Sequence, residues 1–92
     1  MSYSLEYSGQ FKKDVKLCKK RNWNLELLEN IVTLLIQNGE LPPKNKPHIL
    51  SGNYSGFWEC HIKPDWLLIW KQDDINKIIY LDRTGSHSDL FK

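Results

Sequence analysis

The chain is 92 residues long, 40% hydrophobic and 26% charged, with a formal net charge of +2. That length holds one compact domain with a single modest core and excludes a second. The longest apolar runs, such as Trp66-Leu67-Leu68-Ile69-Trp70, are too short to cross a bilayer, and Met1-Ser2-Tyr3-Ser4-Leu5-Glu6 has neither the basic nor the apolar part of a signal peptide, so a cytoplasmic location is expected. Cys18 and Cys60 have no cysteine close by in sequence, which fits reduced core thiols better than a disulfide or zinc framework. The charge is uneven. Residues 1–46 carry eight Lys or Arg against five Asp or Glu, and residues 47–92 carry five against six.

In chain order, Tyr3-Ser4-Leu5-Glu6-Tyr7 alternates like a half-buried strand, predicted near 2–7. Ser8 then caps a helix over 8–21, in which Phe11, Val15 and Cys18 form the apolar stripe. Lys12, Lys13, Lys16, Lys19, Lys20 and Arg21 make its outer surface a broad cationic face opposed only by Asp14. Asn24 caps a second helix over 24–38, with Leu25, Leu28, Val32 and Leu35 at helical spacing and Leu27, Ile31 and Leu34 widening the stripe. Asn38-Gly39 stops it, and the proline-stiffened loop Leu41 to Pro47 delivers His48.

The second half reads as three strands, near 57–63, 66–72 and 77–83. In the first, Trp58, Cys60 and Ile62 lie on one side and Glu59 and His61 on the other. Pro64-Asp65 reverses the chain into Trp66 to Lys71, which is apolar on both sides and therefore central. Asp73-Asp74-Ile75-Asn76 turns it again, and Gly85 ends the last strand before a short tail, Ser86 to Lys92. The expected fold is α+β in the order β-α-α-β-β-β, an antiparallel sheet with both helices on one face. Glu59 and His61 then point to the other face.

All three histidines fall in this half: His48 after Lys46-Pro47, His61 within Glu59-Cys60-His61-Ile62-Lys63-Pro64-Asp65-Trp66, and His87 after Arg83-Thr84-Gly85-Ser86. Imidazoles, acids and an arginine that converge suit acid-base chemistry on a phosphodiester at neutral pH. Singly, each also fits an ordinary structural role. His48 can bond a nearby carbonyl, His61 can pair with Glu59, His87 can cap the tail, Arg83 can form a cross-strand ion pair with Glu59 or Asp65, and Trp66 can be plain core. A zinc site from the histidines and Asp65 lacks the usual HxxxH or HxH spacing. Gly52-Asn53-Tyr54-Ser55-Gly56 has turn spacing and no phosphate-cradling helix after it.

The ordered set Glu6-Tyr7-Ser8-Gly9-Gln10, Lys13-Asp14-Val15-Lys16-Leu17, His48-Ile49-Leu50-Ser51-Gly52, Glu59 to Trp66 and Arg83 to Phe91 resembles the YafQ-like branch of the RelE/ParE toxin superfamily. These are ribosome-dependent messenger-RNA endonucleases of bacterial toxin-antitoxin pairs. The resemblance implies a RelE-like fold and a catalytic cluster of His48, His61, Asp65 and His87, assisted by Arg83, by an acid at Glu59 and by the terminal aromatic Phe91. It departs at Trp58, often arginine in such relatives, at Glu59, often aspartate, and at Ile49, often proline.

Cleavage of RNA by its own 2′-hydroxyl needs a base, an acid for the departing 5′-oxygen and positive charge on the phosphate, with no metal or other cofactor. His48 and His87 are the candidate acid-base pair, in either order, His61 and Asp65 orient the RNA, tune a neighbour or transfer a proton themselves, and Arg83 fits two phosphate oxygens. Trp66, Phe91 and Tyr54 are candidate base-stacking surfaces, with Glu59 and Lys63 as further substrate contacts. The basic helix, Lys12 to Arg21, is expected to grip ribosomal RNA. The implied partners are the ribosome, its message and a small dimeric DNA-binding antitoxin, so that DNA is met only through the antitoxin complex. Two other readings remain: a protein-target binder resembling ParE on the same scaffold, and a non-catalytic RNA-binding protein using the basic helix.

Overall fold

A computed structural model describes residues 2–91, so Met1 and Lys92, the ends of the expected leader-free start and of the tail, lie outside the described residues. Strand β1 (Ser4–Tyr7) leads into helix α1 (Gly9–Lys20) and helix α2 (Leu25–Asn38). Strands β2 (His48–Ile49), β3 (Trp58–Lys63), β4 (Trp66–Asp73) and β5 (Ile78–Gly85) follow, and a one-turn helix α3 (His87–Leu90) closes the chain.

The caps are the ones the sequence announces. Ser8 Oγ accepts from the Phe11 amide at 2.9 Å and Asn24 Oδ1 from the Glu26 amide at 3.1 Å, each filling an orphan donor of a first turn. Gly39 ends α2 in the left-handed region, φ 66°, with its N–H on the Leu35 carbonyl.

The sheet runs β1-β5-β4-β3-β2. The three long strands β3, β4 and β5 pair antiparallel, as expected, and the unexpected short strand β2 joins them antiparallel to β3, but β1 lies parallel to β5, so the sheet is mixed and not wholly antiparallel. Alternation along a single strand carries no information about the direction of its neighbour. Nor is β1 half-buried: all four residues are exposed, because it forms the edge and α1 packs on β5 instead.

Both helices lie on one face. Phe11, Cys18, Leu28, Ile31 and Leu35 pack against Cys60, Trp66, Leu68, Trp70, Ile79 and Leu81. Burial pushes the Cys18 thiol up to about 11 and the Cys60 thiol up to about 12, so both are protonated, inert core groups. The opposite face is not bare. Leu67 and Ile69 are covered by Leu90 from α3 and by Leu50, Tyr54 and Phe57 from the β2–β3 connection. That cover narrows the open part of the face to the region bearing the histidines.

Candidate active site

Register places the site residues before any side chain is considered. His48 faces Glu59, Glu59 faces Ile69, and Ile69 faces Arg83, making one row across β2, β3, β4 and β5 on the face away from α1 and α2. The next row runs His61, Leu67, Gly85. Directly opposed residues of antiparallel strands share a face, so His48, Glu59, His61 and Arg83 begin on the same side.

His87, first residue of α3, is brought to the β3–β4 turn by Asp65. One carboxylate oxygen accepts from the His87 backbone N–H at 2.9 Å and lies 2.6 Å from its Nδ1. These bonds hold the Asp65 carboxyl below the usual carboxylate range, the backbone N–H contributing most. A proton on Nδ1 satisfies the short contact and leaves Nε2 facing outward with its lone pair. The His61 ring sits beside it, 5.9 Å between centroids, with its own Nδ1 3.3 Å from the Pro64 carbonyl oxygen. His61, Asp65 and His87 therefore form one cluster at the turn end of the β3–β4 hairpin.

His48 is set differently. It does not end a loop but opens a two-residue strand, because Lys46 at φ 51° redirects the chain into pairing with β3. Its Nδ1 lies 2.8 Å from the Lys46 carbonyl and its Nε2 3.2 Å from Glu59 Oε1. Both ring nitrogens thus face acceptors, and both contacts are satisfied only when the ring carries two protons. Glu59 is 6% exposed and points at His48, so it is a partner of that ring and not, as expected, a substrate contact.

Arg83 is also committed. β1 ends opposite Leu81, which leaves the β5 edge open beyond it, and the guanidinium turns through that gap to α1. Nε lies 2.7 Å and Nη2 3.3 Å from the two oxygens of Asp14. Asp14 also accepts from the Thr84 amide and from Gln10, and as the chief influence on Arg83 it raises the guanidinium further above its already high value. The Tyr54 hydroxyl is close by. The expected partners Glu59 and Asp65 are engaged elsewhere.

Trp66 is no base-stacking surface. It is 3% exposed on the helix face, and its indole N–H donates to Thr84 Oγ1 at 2.9 Å. An apolar-flanked strand position following a turn does not reveal which face it takes. Phe91 is 44% exposed and meets Tyr54 edge-on at 5.7 Å, so these aromatics do border the open face.

Lys63, exposed, lines a groove of about 520 Å³ with Lys44, Lys46, Asn45, His61 and Pro64, giving His61 a basic flank. Within it Asn45 Nδ2 donates to the His61 carbonyl, tying the loop that carries His48 to the strand that carries His61. Lys12, Lys13, Lys16, Lys19 and Lys20 are exposed along α1, but Arg21 leaves that array to bind Asp89. Asp14 and Asn45 escaped the sequence reading. The available signal was Asp14's place three residues after Phe11, on the apolar side of a basic helix.

A family model described as "Bacterial toxin of type II toxin-antitoxin system, YafQ" matches residues 3–92. The mRNA interferase toxin YafQ of Escherichia coli K12 is 46% identical over 88 residues, covering 95% of this chain and 94% of that protein. The crystal structure of YafQ from E. coli BL21(DE3) superposes with a TM-score of 0.91 at 43% identity, covering 98% of this chain and 99% of that one. YafQ in the E. coli DinJ-YafQ toxin-antitoxin complex superposes at 0.90 and 43% identity, over the whole of both chains. Register, site geometry and full-length similarity agree, and the chain belongs to the YafQ family of bacterial toxins of type II toxin-antitoxin systems.

Proposed function

We propose that this chain is a toxin endoribonuclease that cleaves messenger RNA on the ribosome through histidine acid-base chemistry, without a metal. The observation that carries the reading is the exposed Asp65–His87 pair at 2.6 Å with His61 beside it. An imidazole whose Nδ1 proton is held by a carboxylate presents Nε2 as a proton acceptor, the arrangement a general base needs. His87 takes the 2′-hydroxyl proton, and that oxygen attacks the adjacent phosphorus. His48, held between the Lys46 carbonyl and Glu59, gives an Nε2 proton to the departing 5′-oxygen. The products are a 2′,3′-cyclic phosphate and a free 5′-hydroxyl. Arg83 supplies positive charge to the pentacoordinate phosphorus. Nε and Nη2 are held by Asp14, so it acts as an oriented charge and not as a free fork. Phe91 and Tyr54 supply aromatic edges for bases, and Lys63 with Lys44 and Lys46 lines the strand's path.

The site is open and shallow, so in-line geometry has to come from elsewhere. The ribosome supplies it, with the α1 lysines on ribosomal RNA phosphates. The regulator is an antitoxin of the DinJ type, whose acidic segment folds onto this basic domain and whose other half carries the DNA-binding function. A protein-target binder on the same scaffold has no use for the Asp65–His87 arrangement. The test is incubation with programmed ribosomes and with free RNA, both in chelator, followed by mapping of the ends. Cyclic or 3′-phosphate ends on ribosome-bound message are expected, and a 2′-deoxy substitution at the scissile nucleotide abolishes them. Cutting that persists on the deoxy substrate, or that needs a divalent ion, rejects the mechanism.

A further inference from the structure

α3 is a single turn of four residues, too short to hold itself, yet it carries His87. Besides the Asp65 carboxylate on His87, α3 has a second long-range charged anchor, a fork-to-fork pair. Arg21 Nη1 and Nη2 lie 2.7 and 3.0 Å from the two oxygens of Asp89. Asp89 is also the N3 residue of this turn's capping box, whose N-cap is Ser86: its carboxylate accepts from the Ser86 amide at 2.9 Å while its own amide donates to Ser86 Oγ. The guanidinium is steadied on its other side by the Trp23 ring, 5.1 Å to the centroid, and Trp23 packs on buried Trp66 at 5.0 Å.

Arg21 is the C-cap of α1, and seven positions earlier, within that helix, Asp14 holds Arg83. The order of signs is reversed between the two elements: α1 presents acid then base, and the β5–α3 segment presents Arg83 then Asp89. Only one register of α1 against that segment satisfies both pairs. The Arg21 side chain is about a third exposed, which screens its pair with Asp89, whereas Asp14 is buried and its pair with Arg83 serves the fold as well, so stability has to be read alongside geometry.

We infer that Asp14 and Arg21 are positioning residues, a two-point clamp through which the basic helix sets Arg83 and the His87 turn relative to one another. The inference rests on the ribonuclease reading for its catalytic consequence, but the geometry can be tested apart from activity. In histidine-ring ¹⁵N NMR of the full chain, the His87 Nδ1 proton held by Asp65 should broaden or shift in Arg21→Gln and in Asp89→Asn, while the His48 ring stays put. An unchanged His87 signal in both variants overturns the inference, whatever the protein does to RNA.

On programmed ribosomes, single-turnover cleavage at saturation should fall on the order of 10²-fold in Arg21→Gln and in Asp14→Asn, with half-saturation unchanged, as expected of displaced catalytic groups. The double variant Arg21→Gln/Asp89→Asn should be no slower than the worse single, because the same contact is lost once. Arg21→Lys, which keeps the charge without the fork, should recover part of the rate. A loss confined to half-saturation would make Arg21 a ribosome contact, and a rate loss matched by the loss of folded protein on melting would make it merely structural. Either result overturns the clamp. Absence of cutting by the unsubstituted chain would instead reject the ribonuclease reading, and the NMR arm would still decide the inference.

Discussion

Asp65 does two things for His87 with one oxygen, accepting from its backbone N–H and from its ring. Asp65→Asn keeps the size of the group but weakens its hold on the Nδ1 proton, so cleavage should fall roughly 10²–10⁴-fold with an unchanged circular dichroism spectrum. A variant within threefold of the parent would mean that His87 is not the base. Thr84 is a second residue whose chemistry is local and exacting. Its hydroxyl accepts from the Trp66 indole and donates to the Leu67 carbonyl, both buried. Thr84→Val preserves shape and strands both groups, for an expected loss of about 1–3 kcal/mol for each group left unpaired, read from the denaturant midpoint. A neutral substitution would show that Trp66 finds another acceptor.

At the scale of elements, α2 depends on its end. An ideal Cβ at Gly39 would sit 2.5 Å from the Tyr3 hydroxyl, and φ is 66°. That hydroxyl donates to Asp74, and the Gly39 carbonyl accepts from Gln72, so the helix end, the chain start and the β4–β5 turn meet there. Gly39→Ala should cost more than about 1 kcal/mol, with backbone strain and displacement of Tyr3 adding. A stability equal to the parent in urea titration would contradict this. α1 divides by face: Asp14 is buried against β5, the C-cap Arg21 is taken by Asp89, and Lys13, Lys16, Lys19 and Lys20 are exposed. Reversing those four lysines to glutamate should weaken ribosome association, flatten its salt dependence and leave the melting transition in place. Undiminished association would free the helix of that role.

The whole molecule is stitched by carboxylates held below their ordinary range. Asp89 is lowered chiefly by Arg21, Asp65 by the His87 backbone N–H, Asp73 by the Asn76 backbone N–H and Asp74 by the Tyr3 hydroxyl. A carboxyl whose native value lies below its unfolded value of about 4 contributes stability that is complete above pH 4. That contribution is lost as pH falls through the native value, since the unfolded chain then binds more protons. Urea midpoints should therefore be level from pH 7 to about 5 and decline below 4, and Asp89→Asn should make the decline shallower. A midpoint that stays level to pH 2 would show these bonds to be absent in solution. The same interactions tie α1, α3 and both distal turns together, joining ends of the chain that no local pattern connects.

What the sequence determined by itself was local: the two helices with Ser8, Asn24 and Gly39 at their ends, the three long strands, and the alternation that sets Glu59 and His61 on one face. Periodicity and capping are properties of neighbouring residues, so they are legible in one dimension. The convergence of His61, Asp65 and His87 was legible only through the resemblance to a toxin family. Tertiary structure decided the rest. It laid β1 parallel on β5, folded the tail into a turn of helix, buried Trp66, matched Glu59 to His48, and took Arg83 and Arg21 out of the free cations by giving them Asp14 and Asp89. Strand direction and charge pairing depend on partners from 11 residues away, as for His48 and Glu59, to 74 away, as for Ser4 and Ile78, and a chain read in order carries the residue types of such partners without their distances.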